Sequence, residues 1–222
     1  MYTDKSELLK SMTLAGCKAI GGRYVEDGGY CDGKDGDYRF DSIKDISKPH
    51  PFVTGKALGG DDTAGVWLML NLLSDDVPGL YVFFRNEEHG CHGSRHMASH
   101  DPGLFKGIRK AVAFDRKGYA DVITTQSGRR TCSDEFASEL AGQLGDYKPS
   151  SLGVLCDSAS LTSLVPECTN LSIGYANAHQ PGESLDLDFV EDLYHRLKKV
   201  DWESLPVAKE RKIKKSLFRR WE

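Results

Sequence analysis

The sequence predicts an α/β protein, a three-layer sandwich in which helices flank a mixed, mostly parallel central sheet. Three observations predict it. Apolar runs of strand length alternate with stretches of helical period along most of the chain, the pattern of a sheet covered by helices. Glycine- and aspartate-rich turns (Gly21-Gly22, Asp27-Gly28-Gly29, Asp32-Gly33, Asp35-Gly36) crowd the early part. They imply hairpins, and so some antiparallel strands. Several predicted strands or turns also end in an acid or a histidine, and open sheets gather their ligand groups at the carboxyl ends of strands.

Asp4 to Lys18 reads as an amphipathic helix with Leu8, Met12 and Ala15 on one face. Tyr38 to Ile43 is a strand. Lys48-Pro49-His50-Pro51 is a loop, because each proline disfavours helix on its N-terminal side. After Leu58-Gly59-Gly60-Asp61-Asp62-Thr63-Ala64-Gly65 an apolar helix runs to about Leu73. Pro78-Gly79 turns into a strand, Tyr81-Val82-Phe83-Phe84, that ends in Arg85-Asn86-Glu87-Glu88-His89-Gly90. A short helix follows Gly93. Ala111 to Asp115 is a strand, and Ser133 to Leu144 is a helix with Ser133 as its N-cap. Leu152 to Leu155 and Leu171 to Tyr175 are strands, with a short helix around Ser158 to Leu164 between them. Asp186 opens a helix whose buried stripe is Phe189/Val190, Leu193, Leu197 and Val200. From Lys209 to Arg220 the tail carries seven basic residues, with Ile213, Leu217 and Trp221 forming a docking stripe.

The 222 residues suffice for one domain, 1–222, with a substantial core and no internal repeat or dividing linker. A net charge of -4 and a pI near 6.0 give no case for nucleic acid as the main partner. No apolar run is long enough to cross a bilayer, and the N-terminus lacks a signal peptide's apolar segment. The expectation is a soluble cytoplasmic protein without a membrane partner. Its six scattered cysteines (17, 31, 91, 132, 156, 168) contain no C-x-x-C pair and read as reduced thiols.

The chemistry centres on Glu87-Glu88. Two adjacent carboxylates at the end of an apolar run repel each other and lose solvation, which is costly unless a cation or a shared proton compensates. The turn at Gly90 brings both toward the crevice at the strand end, one to bind a metal and the other to handle a proton. Asp61, Asp115 and His179 also stand at predicted strand ends or turns, and the edge of one sheet can collect all of them. Carboxylates with one imidazole suit Zn²⁺, and less specifically Mn²⁺ or Co²⁺. Each residue also has a plain structural reading: Asp61 as a helix N-cap, Asp115-Arg116 as a local ion pair, His179 as a surface histidine.

Four blocks taken together, Leu58-Gly-Gly-Asp-Asp-Thr-Ala-Gly-Val, Asn86-Glu-Glu-His-Gly-Cys-His-Gly-Ser, Phe114-Asp-Arg and Ser172-Ile-Gly-Tyr-Ala-Asn-Ala-His, resemble those of the di-zinc exopeptidase families. The similarity runs from about Gly55 to Leu193, in the family's order. It implies a zinc-peptidase-like fold and a metal-dependent hydrolase, an aminopeptidase acting on short peptides. Asp61 would bridge two metals, Glu87 would be the general base, Glu88 and His179 would ligate the second metal, and Asp115 the first. Glu183 would orient the His179 imidazole or lie in a surface loop, and Tyr175 would donate to an oxyanion or belong to the core. Only 63 residues lie between Asp115 and His179, which resembles the compact type without a lid domain and implies a monomer.

One feature departs from the resemblance. The family's His-x-Asp segment before the bridging aspartate is absent; either His50 replaces it or Ile43 stands where the histidine belongs, with Asp45 kept. The second site remains complete, so one or two ions are expected. The alternatives are a related deacylase or carboxypeptidase, or a non-catalytic peptide-binding relative. A local zinc site on His92, His96 and His100 is a further reading. Three histidines in line span about 12 Å, too far to share one ion.

Overall fold

The computed structural model describes residues 58–207 and, before them, the backbone of five strands: β1 (Arg23–Val25), β2 (Tyr30–Gly33), β3 (Gly36–Arg39), β4 (Ser42–Lys44) and β5 (Phe52–Gly55). The expected helix over 4–18, the basic tail, His50 and Asp45 lie outside the described residues. The chain continues through α1 (Gly60–Ser74), α2 (His92–His100), β6 (Lys110–Arg116), β7 (Asp121–Ile123), β8 (Thr125–Gln126) and β9 (Arg129–Arg130). Then follow α3 (Asp134–Leu144), β10 (Lys148–Ser150), α4 (Asp157–Ser160), β11 (Glu167–Ser172), β12 (Tyr175–Ala176), β13 (Glu183–Asp186) and α5 (Leu187–Leu197).

The central sheet has the order β10-β7-β11-β6. Its outer pairs are parallel, and β7 meets β11 antiparallel at Val122 and Leu171, so the sheet is mixed, as expected. A second sheet, β12-β13-β5-β4, and the β1-β2-β3 meander are antiparallel, which accounts for the glycine- and aspartate-rich early turns.

Successive residues of a strand face opposite sides, so β6 sends Val112 and Phe114 to one layer and Ala111 to the other. The first layer is the larger core, where Trp67 and Leu68 of α1, Phe136 and Leu140 of α3, and Val190, Leu193 and Leu197 of α5 are buried together. The second layer holds Phe105, Leu161, Leu164, Val165 and Cys168, with Met97 of α2 packed against them. Helix starts follow local chemistry. Ser133 Oγ accepts from the Phe136 N–H at 3.1 Å, and Asp186 Oδ1 accepts from the Phe189 N–H at 3.0 Å, each satisfying a donor that the first helical turn leaves open. No helix among the described residues is long and apolar enough to cross a membrane.

Two expected strands do not form. Residues 81–84 run without regular secondary structure and join no sheet. Leu152 to Leu155 is also irregular, and only Gly153 makes a bridge, to Gln126. Leu152 and Val154 are 76% and 66% exposed, so this apolar run meets solvent instead of the core. Strand formation needs a hydrogen-bonding neighbour as well as apolar side chains, and composition does not report one.

Candidate metal centre

The turn Gly59-Gly60-Asp61-Asp62 delivers two carboxylates to the rim of the central sheet. Gly59 has φ 63, in the left-handed region, and Asp61 and Asp62 both depart from helical φ/ψ, so neither continues the helix axis. No side chain caps α1, which corrects the N-cap reading of Asp61. The turn is anchored by Glu183, a buried residue of β13: the Gly59 and Asp61 N–H groups donate to its two carboxylate oxygens at 3.1 and 2.9 Å. Glu183 therefore sets the Asp61 backbone and makes no hydrogen bond to the His179 ring. Gly65 lets α1 approach β6, because a Cβ there would stand 2.0 Å from the Phe114 carbonyl oxygen.

Asp115 is at the end of β6. Asn170 of β11 clamps its backbone: the Asp115 N–H donates to Asn170 Oδ1 at 2.9 Å, and Asn170 Nδ2 donates to the Asp115 carbonyl at 2.8 Å. The register between the two strands shifts just beyond, between Asn170 and Ser172. Arg116 pairs with Asp121 at 3.1 Å, so the Asp115-Arg116 ion-pair reading is replaced by one that leaves Asp115 to the cluster. The Tyr175 hydroxyl, buried, donates to Asp115 Oδ1 at 3.4 Å.

Glu87 and Glu88 occupy a tight turn. The Gly90 and Cys91 N–H groups both donate to the Glu87 carbonyl, and the Gly93 N–H donates to the Arg85 carbonyl at 3.0 Å. A Cβ on Gly93 would stand 2.5 Å from that same Arg85 oxygen, so only glycine fits. Asn86 and Cys91 on this turn, and Asn177 and His179 on the opposing loop, are non-glycine residues with positive φ. Four of the six such residues among those described thus stand on the two loops that carry Glu87, Glu88 and His179, the others being Asp76 and Ser127.

The result is two donor groups that share one residue. Asp61, Glu88 and His179 each place a ligand atom within 4.8 Å of the others, and so do Asp61, Asp62 and Asp115. His179 Nε2 lies 2.9 Å from both Asp61 Oδ2 and Glu88 Oε1. One nitrogen carries at most one proton, so it cannot make a full hydrogen bond to both oxygens. A divalent cation between the three atoms would satisfy all of them. Oxygen donors with one imidazole are the chemistry of Zn²⁺, Mn²⁺ or Co²⁺ sites, so the residues fit such an ion. Asp62 is the member that reading the sequence did not single out, although its place in the Asp-Asp doublet was visible. Asn170 was missed as well, and a lone asparagine inside a strand gives no signal. Ile43 pairs with Val53 across β4 and β5.

Electrostatics show what the crowding costs. Burial, then the neighbouring Asp61 and Glu87 charges, push Asp115 up to about 9. Loss of solvation at its carboxylate, then Asp115 and Asp61, also raise Asp62 well above its ordinary value of 3.8. Glu87, half-buried, is pushed up to about 7 by burial, then by Glu88 and Asp157, and the Cys91 thiol donates to it at 3.6 Å. His179 is raised mainly by its hydrogen bond to Asp61, although its side chain is 56% exposed. For the metal-free protein the sign is clear. Asp115 keeps in the fold a proton that the unfolded chain loses near the ordinary carboxylate pKa of 3.8, and His179 likewise holds its proton longer. The stability that these two groups contribute is therefore full at low pH and declines as pH rises from about 4 toward 9. Chelator-treated protein should lose roughly 5 °C or more of Tm between pH 5 and pH 8, and Zn²⁺ should restore more of it at pH 8 than at pH 5. Differential scanning fluorimetry checks this, and a flat profile without a cation effect would contradict it.

The histidines of α2 lie elsewhere. His92, His96 and His100 are exposed, the last two rings stack at 4.0 Å, and no donor group among the described residues includes them. Cys91, Cys132, Cys156 and Cys168 are buried, and no disulfide joins them among the described residues.

Fold and site together define a class: an α/β protein with a helix-covered mixed sheet and a carboxylate–imidazole cluster at the sheet's rim. Solved structures share the fold. The TET1 peptidase of Pyrococcus horikoshii, which can assemble into a tetrahedron or a large octahedral shell, aligns with TM-score 0.54 and 18% identity, over 69% of this chain and 51% of that one. The PhTET1-12s dodecamer aligns with TM-score 0.51 and 16% identity, over 72% and 52%. The aminopeptidase APDkam598 of the archaeon Desulfurococcus kamchatkensis aligns with TM-score 0.49 and 20% identity, over 66% and 48%. The chain spans about half the length of these proteins. No protein-family model matches it, and no curated protein matches it.

Proposed function

We propose that the chain is a metal-dependent exopeptidase, an aminopeptidase acting on short peptides, organised as one catalytic domain and working in the cytoplasm. The observation that carries this reading is the pair of donor groups joined through Asp61, with Glu87 beside them and in neither. Asp61, Glu88 and His179 would hold one divalent ion, and Asp61, Asp62 and Asp115 a second. Such ions supply Lewis-acid polarisation of the scissile carbonyl and acidify the attacking water. Glu87 accepts the water's proton, because a half-buried carboxylate pushed up to about 7 is close to neutrality in basicity. Asn170 and Glu183 hold the Asp115 and Asp61 backbones in register, and Tyr175 fixes one Asp115 oxygen. The shared fold of a TET1 peptidase supports the same reading.

The test is hydrolysis of aminoacyl anilides and dipeptides by purified protein supplied with Zn²⁺, Mn²⁺ or Co²⁺. Cleavage should require a free amino end and stop with chelator. Cleavage only of substrates with a blocked amino end would point to a deacylase or carboxypeptidase. No cation retained and no turnover with any metal would sink the enzyme reading.

A further inference from the structure

A second cleft has no role in the centre just described. It encloses about 550 Å³ between α2, the β8–β9 hairpin and α4, within the size range of small-molecule sites. Arg95 and Arg129 line it, and no carboxylate does. The third arginine nearby, Arg130, is held by Asp134 and donates to the Cys132 carbonyl at 2.8 Å. Arg95 and Arg129 form no ion pair with any described residue. The cleft is also lined by Thr131, 2% exposed, and by Ser160; the hydroxyl oxygens of both are buried without any hydrogen-bond partner. Gln126 contributes no free polar end, since its Nε2 donates to Ser158 Oγ and its Oε1 accepts from the Cys156 N–H. What remains is two guanidinium groups without an ion-pair partner among the described residues, two buried hydroxyls without a hydrogen bond beneath the lining, and the apolar side chains of Leu155 and Ala159.

From this arrangement we infer that the cleft between α2, the β8–β9 hairpin and α4 binds a small organic molecule bearing a carboxylate or phosphate group. The oxyanion meets Arg95 and Arg129, whose planar forks match two oxygens at once. Rotation of the Thr131 and Ser160 side chains turns their unpaired hydroxyls to the same oxygens, and an apolar body rests on Leu155 and Ala159. Arg95 is one helical turn beyond Cys91, the residue bonded to Glu87, so the cleft flanks the carboxylate cluster without sharing a residue with it. The inference does not rest on the peptidase reading.

The test titrates the full chain with hexanoate, its uncharged analogue hexanamide, and inorganic phosphate. It is run at constant ionic strength with chelator present, so that no cation at the other centre captures the anion. Calorimetry reads affinity, and amide shifts of residues 129–131 and 159–162 read location. Saturable binding of hexanoate or phosphate with shifts at those residues is expected, and which anion binds tighter identifies the head group. Arg129→Gln should weaken it at least tenfold and Thr131→Val severalfold, while Arg130→Gln, at the already paired arginine, should stay within twofold. Equal binding of hexanamide, equal loss in Arg130→Gln and Arg129→Gln, or no saturation by either anion would overturn it. Thr131→Val keeps the side chain's shape, so its readout survives if an arginine variant folds poorly.

Discussion

Replacing Glu87 by glutamine is expected to cut turnover by roughly 10²- to 10⁴-fold, the range a general base supplies, while the protein keeps its full complement of divalent cation. The geometry separates the two outcomes. Glu87 belongs to neither donor group, so loss of its charge leaves the ligand atoms of Asp61, Glu88, His179, Asp62 and Asp115 where they are. Glutamine preserves the shape of the side chain and an oxygen for the Cys91 thiol, which donates to Glu87 at 3.6 Å. It also removes one of the like charges that raise Asp115 and Asp62, so the variant should be at least as stable as the parent. Steady-state kinetics paired with elemental analysis makes the measurement. Undiminished turnover would remove Glu87 from the reaction, and lost metal would recast it as a ligand.

Asp61→Asn should have the larger effect on binding, because Asp61 alone belongs to both groups. Loss of its charge should weaken cation affinity at both sites by 100-fold or more and abolish turnover, in line with the strength of charge-assisted over neutral ligation. Asp115→Asn and Glu88→Gln each touch one group and should each spare the other ion. The signature is stoichiometric: isothermal titration should show two weakened sites in Asp61→Asn and one in each of the others. The Asp61 variant should nonetheless fold, since the Glu183 anchor contacts the Asp61 backbone and not its carboxylate. If Asp61→Asn retained a site as tight as the parent's, the shared-ligand arrangement would be wrong.

How much of this was readable from the sequence depends on how local each cause is. Ser133 and Asp186 were legible as helix starts because a cap acts over three residues. Of the expected stripe Phe189/Val190, Leu193, Leu197 and Val200, Val190, Leu193 and Leu197 are buried on α5, Val200 is buried just past its end and Phe189 is only partly covered. The stripe was legible because helical period decides which side of the helix is buried. Residues 81–84 read as a strand from composition and fail to be one, because pairing is a property of the neighbour and not of the segment. Leu152 and Val154 misled for the same reason.

The choice of Asp61, Glu87, Glu88, Asp115 and His179 as the proposed site came from sequence alone: residue types in an ordered series of blocks at predicted turns and strand ends. Their partition did not. Only the tertiary structure joined the Asp61-Asp62 pair to Asp115, gave Glu183 to the Asp61 backbone, and set Asn170 across from Asp115. The Asn170 and Glu183 contacts span 55 and 122 residues of chain, and one asparagine or glutamate far along a sequence carries no mark of the backbone it will hold. Two sheets create that proximity, one bringing β6 and β11 to the site and the other bringing β13, and distances of a few ångströms then determine which carboxylates share a charge.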